Sequence, residues 1–318
     1  MLADVKGWET VSVVVPVFNA EATLDELIGR IEATLAATPH EIILVNDGSV
    51  DRSWSKIVAL AAEYPSVRGL ELSRNFGQHN ALLAGVRAAR NDVIVTLDDD
   101  LQHPPEEIPK LLAQLGEGND LVYGAPIVRQ HKPWRNVSAR LVRVGLKSAA
   151  GAEFAASVSP FRAFFADLRG GFESFAGPFV SLDVLLSWAT TRVGVVDVEH
   201  SERAVGASTY SFGKLASLAL TMLTGFSTRP LRIASLVGLA TTVFGLLILI
   251  YVVARFVVEG NPVPGFPFLA SLIAIFSGAQ LFALGIIGEY IGRIHVRSMS
   301  QPAYVVRREV GSPAPERG

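Results

Sequence analysis

The chain has 318 residues, half of them hydrophobic and only 18% charged, against roughly 25% charged in ordinary soluble domains, so part of it belongs in lipid. Its formal net charge is −2, with no basic field and no interleaving of aromatics with Arg and Lys, which sets nucleic-acid binding aside. The sequence has no cysteine, which excludes disulfides, thiolate catalysis and Cys-ligated zinc.

The first apolar run is short, β-branched and interrupted by Pro16, unlike a signal peptide, so the front of the chain is expected in the cytoplasm. From residue 11 to about 125, short β-branched runs alternate with helical patterns. Segments 11–18, 41–46, 67–72, 93–97 and 120–124 read as strands. Asp51 opens a helix over 51–63, and Pro104, Pro105, Glu106 and Glu107 open another over 105–115. The alternation predicts an α/β domain with a largely parallel sheet. A helix near 134–148, a strand-like stretch at 160–166, a helix near 180–190 and a strand at 193–200 should complete the sheet and shape an acceptor side.

Residues 212–226 place Phe212, Leu215, Leu218, Met222, Leu223 and Phe226 on one helical face. This reads either as a helix lying on a membrane surface or as one packed on the soluble domain. Segments 233–254 and 266–288 then run without a charged residue, each beyond the roughly 18 residues that mark a candidate span. A turn-rich segment joins them, which predicts a transmembrane hairpin over about 231–255 and 266–290. Arg229 and Arg232 precede the first span and Arg293, Arg297, Arg307 and Arg308 follow the second, so both ends are expected in the cytoplasm. The expected layout is a catalytic domain at 1–210, a juxtamembrane helix at 211–228, the hairpin within 229–295 and a tail at 296–318. The polar tail after Arg307 is expected to be disordered.

The segment Leu97-Asp98-Asp99-Asp100 sets three carboxylates at the end of an apolar strand, and Asn46-Asp47-Gly48-Ser49 ends another. Ligands of open α/β sheets bind beyond the carboxyl ends of the strands. Adjacent carboxylates repel unless a cation sits between them, so the spacing of Asp98 and Asp100 points to a divalent ion, with a solvated acidic turn as the plainer reading. Hard oxygen donors favour Mg2+ or Mn2+ bridging to a diphosphate. No G-x-G-x-x-G, P-loop, G-x-S-x-G or H-E-x-x-H motif is present.

The runs Val14–Glu21 (VVPVFNAE), Val45–Asp51 (VNDGSVD), Ser73–Leu82 (SRNFGQHNAL) and Leu97–Glu106 (LDDDLQHPPE), in this order, resemble the family 2 glycosyltransferases of GT-A fold. They are most similar to the polyprenyl-phosphate glycosyltransferases, the group of dolichol-phosphate mannose synthase and its bacterial undecaprenyl-phosphate relatives. The likeness extends through Ser201–Phe212 (SERAVGASTYSF) and the hairpin. It implies a GT-A, Rossmann-like nucleotide-diphospho-sugar domain followed by a C-terminal two-helix transmembrane hairpin.

The same resemblance places Pro16, Asn19, Glu21 and Asp47 around the nucleotide, and Asp98, Asp100 and Gln102 at the metal and donor diphosphate. Arg203, Ser208 and Arg162 would face the lipid phosphate, with Asp98, Asp100, Asp183 and Arg203 as the catalytic set. Asp183 either orients acceptor or sugar, or caps a helix. His79 and His103 lie inside the motifs as further candidates at the donor phosphates or sugar. One departure stands out: the family often has an acid just before Phe-Arg, where this chain has Pro160. Proline accepts no proton, but a phosphate monoester with a second pKa of about 6 is already largely dianionic.

The implied activity is inverting transfer of a sugar from a nucleotide sugar, UDP-linked by preference, to a polyprenyl phosphate, with Mg2+ or Mn2+. It would act at the cytoplasmic face of a bacterial inner membrane, for cell-envelope glycans or glycoconjugates. The alternatives are another membrane acceptor, such as a lipid-linked oligosaccharide, and a non-catalytic membrane partner. A homo-oligomer is left open.

Overall fold

The computed structural model describes residues 7–115, 117–126, 158–175, 177, 180–199, 229–259, 265–299 and 301–311. The helix expected at 134–148 and the segment 211–228 lie outside the described residues. An eight-stranded sheet runs in the order β7-β5-β6-β4-β1-β2-β3-β8. Its strands are β1 (Val11–Val17), β2 (His40–Asn46), β3 (Val67–Leu72), β4 (Val93–Thr96), β5 (Leu121–Pro126), β6 (Arg162–Phe165), β7 (Val193–Val198) and β8 (Val306–Val310).

All of β1 is buried, as a continuous apolar run should be in a parallel strand covered on both faces. Its alternate residues serve two cores. Val11, Val13, Val15 and Val17 pack with α1 (Leu24–Thr34), α2 (Ser53–Glu63) and α4 (Ile108–Leu115). Val14 faces the other layer, with α3 (Gln78–Ala88) and α5 (Leu182–Ala189).

The parallel pairing expected of the first four strands is present, and the sheet as a whole is mixed. β1 to β4 pair in parallel, as does β5 with β7, but β6 runs antiparallel between β4 and β5 and β8 runs antiparallel to β3. Strand direction is not written in a strand's own residues. Alternation with helices forecasts parallel pairing only where a crossover helix follows each strand, as it does through β4.

A correction concerns the tail. Of the stretch after Arg307, expected to be disordered, residues 308–310 belong to the edge strand Val306–Val310 beside β3. Arg308 meets Glu71 through Nε at 2.6 Å and Nη2 at 3.1 Å, and Arg68 meets Glu309 at 2.8 Å. These partners are remote in sequence, so the tail's polarity by itself suggested solvent.

The apolar segments form α6 (Arg229–Glu259) and α7 (Phe266–Ser298), which pack on each other, with the second continuing past the expected end near 290. A Cβ on Gly245 would lie 2.6 Å from the Phe276 ring, so glycine lets the two helices approach closely there. Among the described residues, the stretches long and apolar enough to cross a membrane are Ala234–Arg255 and Ile275–Gly292. Leu236, Leu247 and Leu281 are exposed, unfavourable in water and suited to lipid.

At the start of β4, Asp92 Oδ2 accepts from the Glu9 and Thr10 amides at 3.1 Å and from the Thr10 hydroxyl at 2.9 Å. The Glu9 amide foremost, then the Thr10 hydroxyl, hold its carboxyl below the ordinary range. A lowered pKa contributes stability above the unfolded value of about 3.9 and loses it as pH falls through the folded value. Asp92→Asn is therefore expected to lower the thermal midpoint near neutral pH, with the gap to the parent closing as pH falls below about 4. Thermal unfolding over that pH range checks it.

Candidate active site

The sheet order reverses at β1, which has β2 on one side and β4 on the other. The β1–β2 ladder continues to Val17–Asn46, whereas the β1–β4 ladder ends at Val14–Thr96. Beyond Val14 the two strands part, and Pro16, which has no N–H, breaks no bond to β4 there. This is where open α/β sheets bind ligands. A cavity of about 210 Å³ opens at that point, lined by Pro16, Val17, Phe18, Asp47, Asn75, Gly77, Gln78 and the three carboxylates Asp98, Asp99 and Asp100.

Asp47, at the end of β2, holds the loop after β3. Its two oxygens accept from the Phe76 amide at 2.7 Å and the Gly77 amide at 2.8 Å. Burial pushes its carboxyl above the ordinary value, against the pull of those amides. Gly48 has φ +69°, and a Cβ there would lie 2.6 Å from the Asn75 nitrogen, so both backbone conformation and space require glycine.

The three acids differ in their bonds. Asp98 Oδ1 accepts from Gln78 Nε2 at 2.5 Å, and Asp100 Oδ1 accepts from the Gln102 amide at 3.1 Å. Asp99 ties the end of β4 to the loop after β1: its Oδ2 accepts from the Phe18 amide at 3.0 Å, and its carbonyl accepts from the Thr23 hydroxyl at 2.7 Å. Among the described residues the non-glycine positions with positive φ are Asn19 and Leu101, one on each of these loops. For Leu101 that conformation costs about 1–2 kcal/mol, which burial of its side chain in the first core offsets.

Of the expected nucleotide set, Pro16 and Asp47 line the cavity together with Asp98. Asn19 and Glu21 use their side chains on the loop that opens α2. Asn19 Oδ1 accepts from the Val50 amide at 2.9 Å and Glu21 Oε2 from the Arg52 amide at 2.7 Å. Gln102 reaches Asp100 through its backbone amide. His103 is buried against the Phe161 ring at 5.5 Å. His79 Nδ1 accepts from the Leu182 amide at 3.4 Å, and burial, its largest influence, lowers its pKa. Neither ring lines the cavity. Arg203 and Ser208 lie outside the described residues.

Asp183 and Arg162 come together, and neither lines the cavity. Arg162 is 1% exposed, pairs with Asp183, and donates from Nε to Thr96 Oγ1 at 3.0 Å. The Tyr123 hydroxyl donates to Asp183 Oδ1 at 3.0 Å. Burial first, and then the Asp183 charge, push the phenol well above its ordinary value, so it stays a donor. Asp183 falls in the first turn of α5, but the helix has no side-chain cap bond and the carboxylate is turned to the sheet.

Sequence reasoning missed Phe18, Asn75, Gly77 and Gln78 as cavity residues. The polar run between β3 and α3 was visible, but only the fold shows that Asp47 draws it to the cleft.

A mixed sheet with an acid-lined cleft at its reversal point, followed by a pair of long apolar helices, defines a GT-A domain with a helical hairpin. Residues 12–169 match the glycosyl transferase family 2 model, and residues 229–294 match the GtrB C-terminal hairpin. The undecaprenyl-phosphate 4-deoxy-4-formamido-L-arabinose transferase of Shewanella sediminis is 39% identical, covering 93% of this chain and 91% of its own. The protein of the same name from Pseudomonas aeruginosa is 36% identical, covering 95% and 91%. Glucosyl-3-phosphoglycerate synthase from Mycobacterium tuberculosis, solved with Mn2+, UDP and glucosyl-3-phosphoglycerate, matches with TM-score 0.51. That match has 22% identity over 68% of this chain and 78% of that one, which speaks for the fold alone. The chain belongs to glycosyltransferase family 2, in its polyprenyl-phosphate group, and is an enzyme of that kind.

Proposed function

We propose that the protein transfers a sugar from a nucleotide-diphosphate sugar, UDP-linked by preference, to undecaprenyl phosphate, with inversion, at the cytoplasmic face of a bacterial inner membrane. The observation that carries this reading is one cleft at the ends of β1, β2 and β4 that gathers Phe18, Asp47 and the three adjacent carboxylates. The curated relatives act on undecaprenyl phosphate by name, which supports the acceptor.

Phe18 is half exposed and presents a ring to a base beside Asp47. Among the described residues no three His, Cys, Asp or Glu side chains converge on one point, so these residues offer no complete metal cage. Two hard carboxylates that leave the remaining positions to a diphosphate suit Mg2+ or Mn2+, which rarely takes an all-protein shell. Asp98 and Asp100 would hold the ion, with Gln102 beside them, and the ion would supply charge neutralisation to the diphosphate leaving group.

A phosphate oxygen of the lipid forms the new bond to the anomeric carbon as the bond to the nucleoside diphosphate breaks on the opposite face. The acceptor is dianionic above about pH 6, so no side chain must remove a proton. This agrees with Pro160, whose carbonyl accepts from the Thr96 hydroxyl at 2.8 Å, and with the commitment of Asp183 to Arg162 and Tyr123. Arg203 and Ser208 remain the residues proposed for the acceptor phosphate, where a guanidinium binds oxygens in pairs. Arg162, buried and paired with Asp183, is read as a supporting residue of the fold rather than a direct ligand of that phosphate.

β8 and the charge pattern support the orientation. The pairing of β8 with β3 joins the strand after α7 to the sheet that precedes α6, which supports reading both on one side of a membrane that the hairpin crosses. The flanking arginines support the cytoplasm as that side. The test is transfer of labelled sugar into extractable lipid by the purified full chain, using undecaprenyl phosphate, a panel of nucleotide sugars, and Mg2+ or Mn2+ against EDTA. Labelled lipid that disappears with EDTA supports the reading. No product with any donor, from folded protein in bilayers, rejects it.

A further inference from the structure

β8 returns to the sheet after the chain has left the hairpin, and it lands on β3, the strand that runs into the 73–77 loop. The pairing passes a bulge at Glu71/Leu72 and continues, with the Ser73 amide donating to the Val305 carbonyl at 2.9 Å. Three residues later the same loop is bonded to Asp47, and Gln78 is bonded to Asp98. Asn75 lines the donor cleft on one side. On the other it lines a cavity of about 450 Å³ bounded by the chain from Gln301 to Val305.

The attachment is specific. Besides the Arg308–Glu71 and Arg68–Glu309 pairs, Ala303 is 5% exposed in the second core. Gly69 makes room for the strand, since a Cβ there would lie 2.8 Å from Val310. Without β8, β3 would present an unpaired edge, and the loop that follows it would lose an anchor at its first residue.

We propose that β8 is a positioning element of the donor site: by pairing with β3 it holds the 73–77 loop on Asp47, so the chain leaving the membrane hairpin sets affinity for the donor nucleotide. This rests on the reading of the cleft as the donor site. It makes the hairpin and the nucleotide cleft a single connected unit, with anchorage and donor binding linked through one strand.

The test uses the full chain in detergent, with Arg308→Glu to set like charges against each other and Arg308→Glu with Glu71→Arg to restore the pair in reverse. Hydrogen exchange is followed at 73–78, at 305–310 and at β1, alongside binding of UDP in Mn2+ and the transfer assay. Expected for Arg308→Glu is faster exchange at 73–78 with β1 unchanged, and UDP affinity and donor KM weakened about tenfold at unchanged kcat. The reversed pair should recover all three. Faster exchange confined to 305–310, or a fall in kcat at unchanged donor KM, would overturn the proposal. If the parent binds no UDP, the uridine reading fails, while exchange at 73–78 still decides the role of the strand. Should Arg308→Glu also expose β1, the milder Arg308→Gln is read at the same segments.

Discussion

Asp100→Asn is expected to reduce sugar transfer by about 10²- to 10³-fold, and Asp98→Asn by a similar factor, with little change in thermal stability. Both side chains line the cleft, and a diphosphate brought there carries negative charge toward carboxylates that already repel one another. Only a cation between them makes that arrangement favourable, and an amide is a far poorer partner for it than a carboxylate. Asp99 is the internal control. Its carboxylate holds the Phe18 amide, a bond that an Asn oxygen can also accept, so Asp99→Asn should lose far less. Transfer rates at saturating Mn2+, with the thermal midpoint of each variant, check the set. Equal losses at all three positions would mean that the charge of the loop matters and the spacing does not.

Asp183→Leu is expected to destabilise the catalytic domain by about 3–5 kcal/mol, because it strands a guanidinium that is 1% exposed. For a domain of this size that is a fall in thermal midpoint on the order of 10 °C. Arg162→Met with Asp183→Leu should regain most of the loss, since replacing both members of a buried pair removes the desolvation penalty as well as the attraction. Tyr123→Phe removes one donor to Asp183 and should cost about 1 kcal/mol. Activity should follow stability here, because Arg162 also bonds Thr96, two residues before Asp98. A double variant as unstable as the single would show that an unpaired charge is not what destabilises Asp183→Leu.

Much of the cleft was legible in order along the chain. β1 to β4 announce themselves by β-branched runs, and their ends carry Pro16, Asp47 and Asp98 to Asp100, so the rule that ligands bind at strand ends already gathers those residues. Asn19 and Glu21 were placed near the nucleotide by resemblance, and the fold gives them a further task, holding the loop that opens α2. Asp183 and Arg162 were assigned separately, to catalysis and to the acceptor, and the fold joins them in one buried pair.

By itself the sequence determined what depends on near neighbours: the alternation that builds the α/β core, the acidic turn after β4, and two uncharged runs long enough for a hairpin. Those signals are periodic or compositional, so each is complete within a few turns of chain. The tertiary structure alone decided that the tail is a strand, that the loop after β3 belongs to the cleft, and that Arg162 and Asp183 neutralise each other. Arg308 reaches Glu71 across 237 residues and Arg68 reaches Glu309 across 241. A charged side chain looks solvated until its partner is known, and over such separations only the folded sheet supplies the partner.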